Sequence, residues 1–378
     1  MKKIYCDISA TTPVNDEVIN FMGTVHKNAF GNPSSVHKYG QESHIVIEKA
    51  RIETANAINC HQEEIIFTAS GTEANNIALE GFIEPGDHII SSTYEHPSVM
   101  NVLKNLEKKG ALLTLIKPEN DGKVCPKKIE SNIIENTKLV SIMFANNELG
   151  SINDIYKISK LTKKHNLSLH VDAVQCVGKI PIDLNDLNID LMSISAHKFY
   201  GPKGVGALFV RKGIDLKTII NGGGQELNLR PGTENIAGIA GLGMAIKMAT
   251  DNLEQNTNHI KSLENLFING LNKNSINYIL HIKDRVPGVF ALGFPKIDGQ
   301  SLLISLDLKG IAVSFGSACS SGTTKASQIL LDAGIDNEIA KSTLRFSFGK
   351  IHSEDDINYI VEQLSIILKR LEKKTYAQ

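Results

Sequence analysis

The chain has no excess of either charge. Lys and Arg total 40 and Asp and Glu 41, a formal net charge of -1 over 378 residues. That balance offers no basic surface for nucleic acid or anionic lipid. No apolar run is long enough to span a bilayer, and the start, Met1-Lys2-Lys3-Ile4-Tyr5-Cys6-Asp7, lacks the apolar core of a signal peptide. Cysteine is sparse: Cys6, Cys60, Cys125, Cys176 and Cys319, none in a Cys-x-x-Cys pair. An odd, scattered set without a secretion signal argues against a disulfide framework and for a reducing cytoplasm. Internal repeats, low-complexity segments and obvious linkers are absent as well. What remains is 42% hydrophobic and 21% charged, the composition of a globular protein long enough for two domains.

The apolar run 189–194 predicts a buried strand. It leads through Ser193-Ile194-Ser195-Ala196-His197-Lys198 into Phe199-Tyr200-Gly201-Pro202-Lys203-Gly204, a turn built on Gly and Pro. A lysine at a strand exit is ordinarily a solvated surface residue. Buried there, its ammonium form is disfavoured and its pKa falls, which suits an amine that acts as a nucleophile or forms a Schiff base. Upstream, Leu167-Ser168-Leu169-His170-Val171-Asp172-Ala173-Val174-Gln175 alternates into Asp172, where a second strand should stop. Two parallel strands ending in Asp172 and Lys198 bring both into one crevice, where open α/β sheets bind ligands. A pyridoxal-phosphate enzyme needs such a pair, a lysine for the Schiff base and an acid to keep the pyridine nitrogen protonated. Taken alone, Asp172 has a plainer reading as the cap of the next helix.

Other candidates lie at similar places. A strand over 64–68 runs into Ala69-Ser70-Gly71-Thr72-Glu73-Ala74-Asn75-Asn76 and a helix. The Ser-Gly-Thr turn offers free N–H groups, hydroxyls and the positive end of a helix dipole, an anion site most simply for a phosphate. An ordinary N-cap by Ser70 or Thr72 is compatible with that. His96, in Thr93-Tyr94-Glu95-His96-Pro97-Ser98, leaves a strand just before a Pro-led helix. A lone histidine there is more often structural, but over a flat cofactor its ring would stack and relay protons. Asn146 and Asn147 follow a strand over 139–144 and would bond a ligand or form an Asx turn. Arg345 stands within the apolar strand Leu344-Arg345-Phe346-Ser347-Phe348, where it suits a bidentate carboxylate clamp or else a buried ion pair.

Cys319 lies in Gly316-Ser317-Ala318-Cys319-Ser320-Ser321-Gly322, a run without large side chains that reads as a mobile, exposed loop. An exposed thiol suggests reactivity, whereas the other four cysteines adjoin apolar segments and read as inert core thiols. The GxG fragments of 201–206 are too weak for a Rossmann dehydrogenase. A helical region over 236–271, bent near Asp251, precedes a smaller α+β unit. That unit closes with an amphipathic helix started by a Ser353-to-Asp356 capping box.

Together these residues resemble the cysteine desulfurases of the NifS/IscS type, in the class V aminotransferase branch of pyridoxal-phosphate enzymes. The matching stretches are 7–13, 30–35, 67–76, 94–96, 146–150, 170–175, 193–206, 230–235, 317–320 and 345–349, in order through nearly the whole chain. The resemblance implies an α/β protein of PLP-dependent transferase fold type I. A mainly parallel central sheet would lie in a large domain, 14–257. A smaller α+β domain, 1–13 with 258–378, would carry the cysteine loop. The implied cofactor is pyridoxal 5'-phosphate, in Schiff-base linkage to Lys198. Asp172 would pair with the pyridinium nitrogen and Gln175 with the ring hydroxyl, and His96 would stack on the ring and assist proton transfer. Gly71 would form part of the cofactor site, and Thr72, Ser195 and His197 would bind the phosphate. Thr233 would reach the phosphate of the neighbouring subunit of a homodimer. Asn147 and Arg345 would hold the substrate carboxylate, and no metal is implied. The loop around Cys319 matches the long-loop subgroup. Two departures are Gly71, where many relatives have Ala, and Phe315, larger than the usual Ser and able to alter loop packing.

The expected reaction converts L-cysteine to L-alanine and leaves a persulfide on Cys319. The sulfur then passes to an acceptor protein such as an iron–sulfur scaffold, or to tRNA or cofactor thiolation. A class V aminotransferase and a selenocysteine lyase are rivals on the same fold, and Cys319 speaks against the first. A non-catalytic sulfur-relay scaffold is a rival of another kind, against which Lys198, Asp172 and Cys319 speak together.

Overall fold

The computed structural model describes residues 2–315 and 326–375. Its centre is a seven-stranded sheet, in spatial order Ile65–Thr68, Gly206–Val210, Leu191–Ser195, Ser168–Asp172, Thr137–Ser141, His88–Ser92 and Leu112–Ile116. Gly206–Val210 runs antiparallel to both neighbours, and every other pairing is parallel. The expected mainly parallel sheet is therefore present. Leu191–Ser195 is buried at every position, as a strand covered on both faces must be. The carboxyl ends at Thr68, Asp172 and Ser195 share one edge of the sheet, since Thr68 and Ser195 both pair with Gly206.

Helix starts fix what happens at that edge. Ser70 caps Gly71–Phe82 by accepting from the Glu73 N–H. His96 caps Pro97–Lys108, with Pro97 in the first turn, where its missing N–H costs nothing. Both caps hold chain just past a strand exit, so polar groups that end a strand also begin a helix. The strand expected over 139–144 is assigned as Thr137–Ser141, and Ile142 and Phe144 continue its backbone bonding to His170 and Asp172.

The region 236–271 forms two helices, Ile236–Asp251 and Leu253–Lys273, broken where the bend was expected. A second hydrophobic cluster gathers Phe267, Phe290, Phe346 and Phe348 under the terminal helix Glu354–Thr375. It draws Phe290, Leu292, Leu344 and Phe346 from the antiparallel pair Val289–Gly293 with Thr343–Ser347. The capping box is present: Ser353 N–H donates to Asp356 Oδ2 at 2.9 Å, and Asp356 N–H donates to Ser353 Oγ at 3.2 Å. The N-terminal segment crosses between these parts. Ile4–Tyr5 pairs with Ile311–Ala312, and Thr12 N–H donates to the His197 carbonyl. That crossing brings residues 7–12 to the carboxyl edge of the large sheet.

Candidate active site

A cavity of about 470 Å³ opens at that edge. Gly71, Thr72, His96, Asn147, Asp172, Gln175, Ser195, His197, Lys198 and Arg345 all line it. Residues spread over most of the chain thus meet in one place, as expected for ligand sites outside strand carboxyl ends. Thr233 does not join them and is exposed to solvent elsewhere. Cys319 and its loop lie outside the described residues.

Lys198 reaches back toward the N-terminal segment. Its Nζ donates to the Ser9 carbonyl at 2.7 Å and to the Ala10 carbonyl at 2.8 Å. Burial lowers its pKa to about 7, and the charges of Lys179 and Arg345 act in the same direction against Asp172 and Asp7. A substantial share of neutral amine at ordinary pH follows.

Asp172 ends its strand with both oxygens engaged. Oδ1 accepts from the Val174 N–H at 3.0 Å, and Oδ2 accepts from Asn75 Nδ2 at 3.0 Å. No helix follows for Asp172 to cap: its bond to the Val174 N–H closes a turn, and the residue also lines the cavity. Asn75 Nδ2 donates further to Ser98 Oγ at 2.8 Å, and Ser98 Oγ lies 2.7 Å from His96 Nδ1. The Ser98 N–H donates to the same Nδ1 at 3.1 Å. Nδ1 is therefore the acceptor, and the neutral ring carries its proton on Nε2. Burial lowers the pKa of His96; Lys198 adds to this and Asp172 opposes it.

The expected anion-binding residues also line the cavity. The turn at Ser70, Gly71 and Thr72 opens the helix Gly71–Phe82 beside Ser195 and His197. A Cβ added at Gly71 would lie 2.8 Å from Val174 Cγ2 and 3.3 Å from Ser195 Cβ. Glycine here lets the helix end sit against the strand exit, which accounts for the departure noted at this position. Burial lowers the pKa of His197 to about 4, so it faces the site as a neutral ring. Phe315, the other departure, packs against the second hydrophobic cluster, where an added Gly299 Cβ would lie 2.6 Å from its ring.

Several contributors carried no signal that singled them out. Asn75 sits one turn beyond Gly71 on the same helix face, and that spacing could have identified it. Ser9 and Ala10 act through backbone carbonyls, which no residue type announces. Glu95, beside His96, is fully enclosed, and burial pushes its pKa up to about 8 despite bonds from the Ser92 hydroxyl and Met143 N–H. Asn147 Oδ1 and Ser9 Oγ are buried without a partner and belong to cavity-lining residues. Unpaired polar atoms around a roomy pocket are what a polar ligand would satisfy.

A partly neutral lysine and a fixed carboxylate meeting at the carboxyl edge of such a sheet mark a pyridoxal-phosphate type of enzyme. Comparison with known proteins agrees. The aminotransferase class-V family model matches residues 4–360. A cysteine desulfurase IscS of Dictyoglomus turgidum is 41% identical over 376 residues, 98% of this chain and 95% of that protein. Among solved structures, a NifS-like protein superposes with a TM-score of 0.92 at 35% identity, covering 98% of this chain and 100% of the other. The structure of SspA in complex with cysteine superposes with a TM-score of 0.81 at 32% identity, covering 92% and 99%. The chain belongs to the aminotransferase class-V family, in its branch of NifS/IscS-type cysteine desulfurases. That family depends on pyridoxal phosphate. Among the described residues, no helix is long and apolar enough to cross a membrane.

Proposed function

We propose that this chain is a cysteine desulfurase that converts L-cysteine to L-alanine and retains the sulfur as a persulfide on Cys319. One observation carries this reading: Lys198, with its lowered pKa, and Asp172, held by Asn75, line the same cavity as an anion cradle and Arg345. The donor set fits pyridoxal 5'-phosphate. Lys198 offers an amine for its aldehyde, Asp172 a carboxylate for its ring nitrogen, and Gln175 an amide for its ring oxygen. The turn at Gly71 and Thr72, with Ser195 and His197, offers donors for its phosphate. His96 supplies an aromatic face. When bound, the cofactor supplies a carbonyl for amine exchange and a ring that accepts electrons from the substrate α-carbon.

The chain's own residues do the rest. Arg345 and Asn147 orient the substrate carboxylate. As a free amine, Lys198 would take the α proton, and its lowered pKa suits that work near neutrality. His96 holds a proton on Nε2 for transfer within the cavity. The Cys319 thiolate attacks the substrate sulfur: an S–S bond forms, the Cβ–S bond breaks, and its electron pair stays on carbon, which takes a proton. L-cysteine and one thiol thus give alanine and one persulfide, with atoms balanced. The need for a free thiol favours a reducing compartment, the cytoplasm. The persulfide then goes to an acceptor protein such as an iron–sulfur scaffold.

A homodimer completes the proposal. Pro33, Ser34, Leu227 and Glu234 border a second cavity of about 610 Å³, next to Thr233 in sequence. Near it in the chain, Val36 is 90% and Phe30 67% exposed. Apolar side chains so open to water favour coverage by a second copy, with Thr233 turned toward that copy's cradle. The second hydrophobic cluster, drawn only from Ile4, Cys6 and residues 263–368, supports a small unit of 1–13 with 258–378 beside a large one of 14–257, while the first cluster reaches across that boundary at Val289 and Leu330.

The test is chemical. Borohydride reduction of the cofactor-loaded chain, followed by peptide mapping, should place a pyridoxyl group on Lys198. L-cysteine with a reductant should yield alanine and sulfide in equal amounts. A label on Lys203, or amino transfer to a keto acid without sulfide, would overturn this function.

A further inference from the structure

One half-buried cation has no part in the steps above. Lys179 lies beyond Asp172 and Gln175, and its Nζ donates to Gln175 Oε1 at 3.1 Å. Gln175 Nε2 donates to the Ser9 carbonyl at 3.0 Å. That carbonyl also accepts from Lys198 Nζ. Gln175 and Lys198 thus share one backbone oxygen, and Lys179 joins them through the Gln175 amide. Behind it, Lys179 and Lys198 both border a small cavity of about 30 Å³, together with Ser9, Tyr200 and Lys350.

Two consequences follow from this geometry. A primary amide whose oxygen is held by an ammonium cannot flip without losing that bond. With Oε1 turned to Lys179 and one N–H given to Ser9, the remaining N–H of Gln175 is free for the main cavity that Gln175 lines. Gln175 then presents a donor, suited to an anionic ligand oxygen. The second consequence is electrostatic. The Lys179 and Lys198 ammonium groups, which border one small cavity and are linked through Gln175 and the Ser9 carbonyl, repel, and in a low-dielectric surrounding the repulsion favours the neutral form of one of them.

We propose that Lys179 is a positioning residue of this site: it turns the Gln175 amide so that an N–H faces the ligand, and it sets a positive charge behind Lys198. This rests on the cofactor reading given above. Lys179 is the leading charged contributor to the lowered pKa of Lys198, after burial. Its own pKa is lowered to about 8, by burial first, with Arg345 acting in the same direction. The other ionisable groups around Lys198 are Arg345, Asp172, Asp7, His96 and His197, with Tyr200 and Lys350 across the small cavity. The variants below leave all of them in place.

The experiment is a pH titration of the visible absorbance of the cofactor-loaded full chain without substrate. Lys179→Met removes the charge at similar length, Lys179→Gln keeps a donor without charge, and Lys179→Arg keeps the charge. Met and Gln should each move the inflection upward by about one pH unit, and Arg should restore it. An unchanged inflection in both neutral variants overturns the proposal. If the neutral variants fail to load cofactor while Arg loads normally, the charge is required and the proposal stands. Failure of all three to load overturns it in favour of simple packing. A wild-type chain without any such absorbance would sink the cofactor reading instead. The comparison would then be made by the pH dependence of Lys198 acylation, read by mass spectrometry, with the same shifts expected and an unchanged profile overturning it.

Discussion

Arg345 is already bound at both Nη atoms: one donates to Asp7 Oδ1 and the other to the Asn147 carbonyl, each at 2.6 Å. Its Nε is buried without a partner. Of the two readings open for a cation in this strand, the ion pair is formed, and the carboxylate clamp remains the proposed use. The two are compatible if substrate shares the guanidinium or exchanges with Asp7. Arg345→Ala should raise the KM for L-cysteine by about 10- to 100-fold, matching the roughly 1.5–3 kcal/mol of a charge-assisted bond. The bound cofactor's absorbance should persist. Asp7→Asn removes the competing charge and should lower the KM. An Arg345→Ala enzyme with unchanged KM and kcat would remove the clamp, and loss of folding in thermal melts would leave the ion pair as its main role.

The partner of Arg345 also shows where sequence reading stops. Strand exits are local events, and the alternation into Asp172 and the apolar run before Lys198 marked both residues. The Asp7–Arg345 and Lys198–Ser9 contacts join the start of the chain to distant segments. No periodicity encodes such a crossing, because the N-terminal segment's path is set by Ile4–Tyr5 pairing with Ile311–Ala312. The helix-start motif at Ser70 was legible as a cap and as an anion cradle at once, and it serves as a cap here. Asn75 in the same motif passed unassigned because its bonds to Asp172 and Ser98 depend on how helix and strand pack.

His96 has two separable jobs. As N-cap it accepts from the Ser98 N–H, and its proposed role is to hold a proton in the cavity that it lines. His96→Ala should lose both, with about 1 kcal/mol of stability gone from the cap. His96→Asn can restore the cap but not the ring. Its thermal midpoint should approach that of the wild type, while alanine production falls by about 10²-fold or more, the usual scale for a lost general acid or base. An Asn variant with full turnover would leave His96 a structural residue only.

Cys319 can be tested against four internal controls. Cys6 and Cys176 are buried, and burial raises both thiols well above the ordinary range. Cys60 is partly buried, and its pKa is pushed up to about 12. Thiols so raised are almost wholly protonated near neutrality, and the thiolate is the nucleophile. Cys125 is the remaining control, half-buried at the start of the helix Pro126–Ser131. None of these four lines the cavity that holds Lys198. L-cysteine added without reductant should therefore place a persulfide on Cys319 alone, read by mass spectrometry of tryptic peptides. Cys319→Ala should still bind cofactor and show the spectral change on adding L-cysteine, because Lys198, Asp172 and Arg345 remain. It should produce neither alanine nor sulfide. A persulfide on Cys125 or Cys176 instead, or full turnover by the Ala variant, would assign the sulfur step to another residue.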